Sequence, residues 1–159
     1  MNKFRSKYST TDFQFARIRL GGHEFGIDIN RVKEIVRCRE IKDFPGGPPF
    51  VEGVIGLRGI SVPVIDLRKR FNIERGAGGL ANLLIAQLDG RIAGLLVDEV
   101  KEIAMGCNEV MVRPVPTDGR WSGCVEAVVE AGGESVHIIN TERLLTDEEL
   151  SALRGVPAE

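Results

Sequence analysis

Apolar residues along the chain fall in short runs, rich in valine and isoleucine and broken by glycine. Ala16, Ile18 and Leu20 alternate with Arg17 and Arg19, the period of a strand with one buried face. Gly21-Gly22 predicts a tight turn into a second strand containing Phe25 and Ile27. Asp89-Gly90 predicts another between Leu83–Leu88 and Ile92–Val97, and Gly132-Gly133 a third between Val125–Val129 and Val136–Ile139. Paired glycines and Asp-Gly supply the positive backbone angles that two-residue hairpin turns demand. Many short strands with little helix predict an all-β protein, a barrel or a sandwich.

Two segments read as helical. Asn30 is predicted to cap a short turn through Arg31 to Ile35, placing Val32 and Ile35 on one face. Thr146, with Glu149 three residues on, forms a capping box that opens a terminal helix through about Arg154. Leu150 and Leu153 form its apolar side, which is expected to pack on its own domain.

An internal repeat organises the rest. Leu20, Gly22, Gly26, Val32, Lys33, Glu34 and Ile35 recur as Leu88, Gly90, Gly94, Val100, Lys101, Glu102 and Ile103, at an offset of about 68 residues. Ser61-Val62, Ile65, Asp66 and Phe71 recur at a slightly larger offset as Ser135-Val136, Ile139, Asn140 and Leu145. A longer loop containing Pro114 and Pro116 absorbs the difference. The repeat predicts two related lobes, 13–71 and 81–145, joined by a linker at 72–80 around Gly76-Ala77-Gly78-Gly79. Strand exchange between the lobes stays open at this level. Residues 1–12 read as a flexible lead-in and 146–159 as helix and tail.

Composition narrows the function classes. A formal charge of −2 gives no basic face for nucleic acid, and no apolar run approaches a membrane span. The polar N-terminus lacks the apolar middle of a signal peptide. Cys38, Cys107 and Cys124 form no CxxC pair and leave an odd count, which fits reduced thiols in the cytoplasm.

Candidates for catalysis are few. His23 and His137 are the only histidines; His23 is expected to be solvated beside a turn and His137 to hold a structural strand position. No spacing supports a zinc site. The glycines at 76–79 lack the Lys-Ser/Thr pair of a phosphate loop. Asp28, Asp66 and Asp98 each follow an apolar run, but the recurrence of Asp66 as Asn140 predicts a cap rather than an acid/base group. No catalytic residue, cofactor or metal is therefore expected. Arg58 stands apart, because neither repeat offset gives it an arginine counterpart. It serves a partner, or it pairs with an acid on its own lobe. Glu34 recurs as Glu102, which favours a structural role there.

In order, Phe25-Gly26-Ile27-Asp28-Ile29 with Val32, Glu34 and Ile35, then Gly53-Val54-Ile55 with Leu57-Arg58-Gly59, then Val62-Pro63-Val64-Ile65-Asp66-Leu67-Arg68 form a pattern. It continues as Gly94-Leu95-Leu96-Val97-Asp98 with Val100 and Ile103, and Arg113-Pro114. This series resembles CheW-like chemotaxis coupling domains from about Phe13 to Leu145. The resemblance implies two five-stranded β-barrels packed side by side, with no enzymatic activity. It implies a scaffold that bridges the cytoplasmic tips of methyl-accepting chemoreceptors to the regulatory domain of a CheA-type histidine kinase. The receptor tip, a helical hairpin, would lie in a groove between the lobes, and the kinase would meet barrel ends. By the same resemblance, Val32, Glu34, Gly53 and Arg58 fall at partner-coupling positions. Gly56 stands where the family usually has Asn, which leaves open a non-flagellar pathway. A small-molecule sensor using the inter-lobe cleft is the competing class.

Overall fold

The alternating run after Phe13 forms β1 (Gln14–Leu20), which turns at Gly21-Gly22 into β2 (His23–Asp28). A computed structural model describes residues 13–37, 40–45, 47–74, 82–105, 111–113, 121, 123–131 and 133–153. The lead-in over 1–12, the glycines at 76–79, Pro114, Pro116, Cys38, Cys107 and Arg154 lie outside these residues. The chain continues as β3 (Val32–Arg37), β4 (Val51–Leu57), β5 (Ile60–Asp66), α1 (Leu67–Phe71), β6 (Asn82–Gln87), β7 (Ile92–Val97) and β8 (Glu99–Met105). Then come β9 (Met111–Arg113), β10 (Val125–Ala131), β11 (Glu134–Ile139) and α2 (Asp147–Ala152).

The fold is all-β, in two lobes. The first sheet runs β8-β1-β2-β11-β10-β9 and the second β3-β6-β7-β5-β4. Short β9 makes the first sheet six-stranded, one more than the resemblance implies. Each sheet takes strands from both sequence copies. β1, β2 and β3 of the first copy correspond to β6, β7 and β8 of the second, and β4, β5 to β10, β11. Under that correspondence the two sheets have the same strand order, β9 aside. The registers agree too: Ile18 faces Val100 as Ala86 faces Val32, and bulges fall at Val51/Gly53 and Val125/Ala127. The chain is thus a pseudo-symmetric pair in which each copy lends its first two strands to the other.

Three apolar clusters follow from the pleat. Ala16, Ile18, Leu20, Phe25 and Ile27 pack against Ile65, Leu84, Ala86, Leu95 and Val97 in a core between the sheets. The opposite pleat fills each lobe: Phe13, Phe15, Val129, Val136 and Ile138 in the first, Ile55, Leu57, Val62, Val64, Leu83 and Ile85 in the second. Full burial of each large aliphatic side chain contributes about 1.5–3 kcal/mol. α2 closes the inter-lobe core with Leu153, while Arg91 Nη1 donates to the Leu153 carbonyl at 2.8 Å. Its capping box is formed in both directions between Thr146 and Glu149. Asn72 to Glu74, at the predicted linker's start, continue from α1: Asn72 caps it with φ 56° and Ile73 packs on the core.

One local expectation fails. Residues 31–35 do not form a helix; a single 3-10 turn (Ile29–Arg31) capped by Asp28 leads directly into β3. β-branched Val32, Ile35 and Val36 pack better on a pleated surface than in a helix. Val32 and Ile35 nevertheless share a side, because a bulge between Val32 and Glu34 shifts the alternation: Val32 faces Ala86, Ile35 faces Leu84, and Glu34 faces Ile85.

Candidate partner-binding surfaces

β4 and β5 join through a two-residue turn at Arg58-Gly59, with φ of 52° and 79°. Both angles are left-handed, a conformation that glycine or asparagine adopts easily and arginine does not. The matching turn between β10 and β11, where Ala131 pairs with Glu134, is Gly132-Gly133. An arginine therefore sits where local geometry favours glycine, and its side chain is 72% exposed. Both terminal nitrogens donate to Glu34 on β3, Nη2 to Oε1 at 3.0 Å. The bond and charge of Glu34 raise the guanidinium above its ordinary pKa. Because β3 and the β4–β5 turn belong to opposite ends of the sheet order, the pair also records how far this sheet curls on itself.

Around this pair the open end of the second lobe is apolar. Ile60 is 53% exposed, and Ile92 and buried Ile85 lie beneath. The corresponding positions in the first lobe are Glu134, Glu24 and Arg17. There Arg17 bonds Glu24, Glu102 and Glu134, and Lys101 Nζ lies 2.8 Å from Glu24 Oε1. One backbone, used twice, ends in a closed ion network at one lobe and in exposed isoleucine beside Arg58 at the other.

The four residues singled out from sequence separate in space. Glu34 and Arg58 meet. Val32 faces the other side of β3 and packs, half-buried, against the inter-lobe core. Gly53 is buried beside the bulge, where a Cβ would lie 2.0 Å from the Lys42 carbonyl oxygen. Sequence reasoning missed two apolar residues. Ile35 and Ile103 occupy matching positions on edge strands β3 and β8, each 45% exposed. Their cross-strand partners, Leu84 and Ala16, belong to the inter-lobe core, so both isoleucines stand on its open rim. Their place in the repeat was the available signal.

A family model of the CheW-like domain matches residues 14–149. The chain belongs to the CheW-like family. Chemotaxis protein CheW of Klebsiella aerogenes is 32% identical over 152 residues, covering 92% of this chain and 90% of that one. Chemotaxis protein CheW of Treponema pallidum is 30% identical over 150 residues, covering 91% and 88%. The crystal structure of a CheW scaffolding protein from Thermoanaerobacter tengcongensis superposes with a TM-score of 0.77 at 31% identity, covering 86% of this chain and 94% of that chain.

Both histidines of this CheW-like chain pack against its single tryptophan. Trp121 meets the rings of His23 at 5.0 Å and His137 at 5.2 Å, and its Nε1 donates to the Phe71 carbonyl. His23 is thus packed against an aromatic ring rather than simply solvated. Burial lowers the pKa of His137, opposed by its contact to the Glu24 carbonyl and assisted by the charge of His23. A depressed histidine favours folding fully above its unfolded pKa of about 6.5 and loses that contribution as pH falls through the folded value. As pH falls from 7 to 5.5 the melting temperature should drop, together with a change in Trp121 fluorescence. His137→Phe should flatten this slope; an equal slope in that variant assigns the effect elsewhere.

Proposed function

We propose that this chain is a non-catalytic adaptor that couples methyl-accepting chemoreceptors to a CheA-type histidine kinase in the bacterial cytoplasm. One observation carries the reading: the repeat supplies its own control, and only one lobe end holds an exposed arginine in a glycine-type turn beside exposed isoleucine. That end, with Glu34, Arg58 and Ile60, is the surface for the kinase's regulatory domain. The rim holding Ile35 and Ile103, with Val32 beneath, receives the apolar face of a receptor's helical hairpin. Gly53 supports the first surface through the backbone under it. Signalling then needs no chemistry in this chain. Holding receptor and kinase in fixed relation lets a small receptor displacement bias the kinase between states.

The test is titration of the purified chain with a kinase regulatory domain and, separately, a receptor cytoplasmic fragment. Arg58→Ala should weaken kinase binding at least about tenfold, as truncated interface arginines do. Its melting temperature should stay nearly unchanged, since an exposed pair contributes little to folding. Unchanged affinity in the folded variant, or no binding by the parent chain, defeats the proposal.

A further inference from the structure

Two segments of the family pattern, Asp66-Leu67-Arg68 and Val97-Asp98, have no place on either surface, yet they meet inside the molecule. Arg68 is 6% exposed. Its Nε donates to Asp66 Oδ1 at 3.0 Å and its Nη2 to Asp66 Oδ2 at 3.2 Å. Its Nη1 donates to Asp98 Oδ1 at 2.7 Å. The other Asp98 oxygen accepts from the Gly21 amide at 2.6 Å, and the Asp98 amide donates to the Arg19 carbonyl. Asp66 and Arg68 end β5 and begin α1, on the second sheet; Gly21 turns β1 into β2, on the first. Asp98 lies between them, where the chain crosses from β7 to β8. Gly21 is also seated tightly: a Cβ there would lie 2.8 Å from Ile73 and 2.9 Å from the Glu74 carbonyl oxygen.

The pseudo-symmetric joint is built differently. Asp66, Arg68, Asp98 and Gly21 correspond to Asn140, Glu142, Asn30 and Asp89. There Arg31 pairs with Glu142 in an exposed contact. Burial lowers the Arg68 pKa, but the bonds and charges of Asp66 and Asp98 outweigh it and raise the net value. A buried ion set of this kind is weak as a source of stability and better suited to fixing one arrangement among several.

We propose that Arg68 is a positioning residue: with Asp66 and Asp98 it clamps the β1–β2 turn to α1 and so fixes the angle between the two sheets. The consequence for partners rests on the adaptor reading above. The rim takes Ile35 from one sheet and Ile103 from the other, so its width depends on that angle. The Glu34–Arg58 end belongs to one sheet and does not.

The first experiment needs no partner. Hydrogen exchange at the Gly21 amide is compared in the parent chain, Asp98→Asn, Asp98→Ala and Arg68→Met, under conditions where all are folded. Asp98→Asn retains a carbonyl oxygen and so protects the fold if Arg68→Met does not form. Exchange should accelerate at least tenfold in the variants, while Arg31→Ala, on the opposite joint, leaves it unchanged. Protection equal to the parent both in Asp98→Asn, whose one remaining oxygen cannot hold Arg68 and Gly21 together, and in Asp98→Ala, which has none, overturns the clamp, whatever the partners prove to be. The second experiment measures both affinities with the folded variants. Receptor-fragment binding should fall about tenfold while kinase-domain binding changes less than threefold. Loss in equal proportion marks a general structural role and also overturns positioning.

Discussion

Expressed as separate polypeptides, residues 1–78 and 79–159 should each be unfolded and should fold when mixed. In the first piece β1 and β2 pair with each other, but their outer neighbours β8 and β11 lie in the second. β3 loses β6, and β5 loses β7. What remains is two hairpins and a lone strand, and an isolated hairpin is at best marginal in water. The second piece keeps the hairpin β6–β7, a lone β8 and the short three-stranded run β9-β10-β11, but loses β1, β2, β3 and β5, and with them most of the inter-lobe core. Because the exchange is pseudo-symmetric, two copies of the first piece could in principle complete each other. Charge opposes this: Arg17 would then lie where Ile85 fills the second lobe, facing Glu34 in place of Glu102 but competing for it with Arg58, and with Ile60 in place of Glu134. The 1:1 complex should therefore form in preference to either homodimer. Circular dichroism and size-exclusion chromatography of each piece and of the mixture check this. Cooperative thermal unfolding by one piece alone would show that the exchange is not required for folding.

The same exchange explains the limits of sequence reading. Hairpin turns were legible because a turn glycine such as Gly21, with φ of 59°, adopts a left-handed angle and the strands beside it alternate. The repeat was legible as identity at a fixed spacing. Which copy pairs with which was not, because an offset identifies equivalent segments and says nothing about their neighbours. Residues 31–35 misled because a bulge put Val32 and Ile35 on one side, imitating helical spacing in a strand. Asp66 and Asn140 were readable as caps, and each accepts from the amide two residues on. The second role of Asp66, in the buried set with Arg68 and Asp98, depends on a contact between distant segments. Trp121 carried no periodic signal at all. For Arg58 the residue itself was legible, and so was the alternative of an acid on its own side, which is Glu34. The glycine-type angle beneath it emerged only from the backbone.

Gly53→Ala should destabilise the fold by at least about 3 kcal/mol, and the reason lies in the backbone rather than at a binding surface. Gly53 has φ of 149°, which side-chain-bearing residues rarely adopt, and such strain costs about 1–3 kcal/mol. The new Cβ would also lie 2.0 Å from the Lys42 carbonyl oxygen and 2.8 Å from the Ile41 side chain. Relief requires Lys42 to move, yet Lys42 and Val54 exchange two backbone hydrogen bonds of 2.8 Å, each contributing about 1 kcal/mol. Gly59→Ala is the control. Its φ is also positive, at 79°, but nothing lies within 4 Å of the added carbon, so the cost is about 1 kcal/mol. Denaturant titration of both variants separates clash from backbone preference. If Gly53→Ala were as mild as Gly59→Ala yet abolished kinase binding, Gly53 would belong to the contact surface itself. If the destabilisation is as expected, loss of binding follows the folded fraction, and the proposed kinase contact rests on the side chains of Arg58 and Glu34 rather than on Gly53.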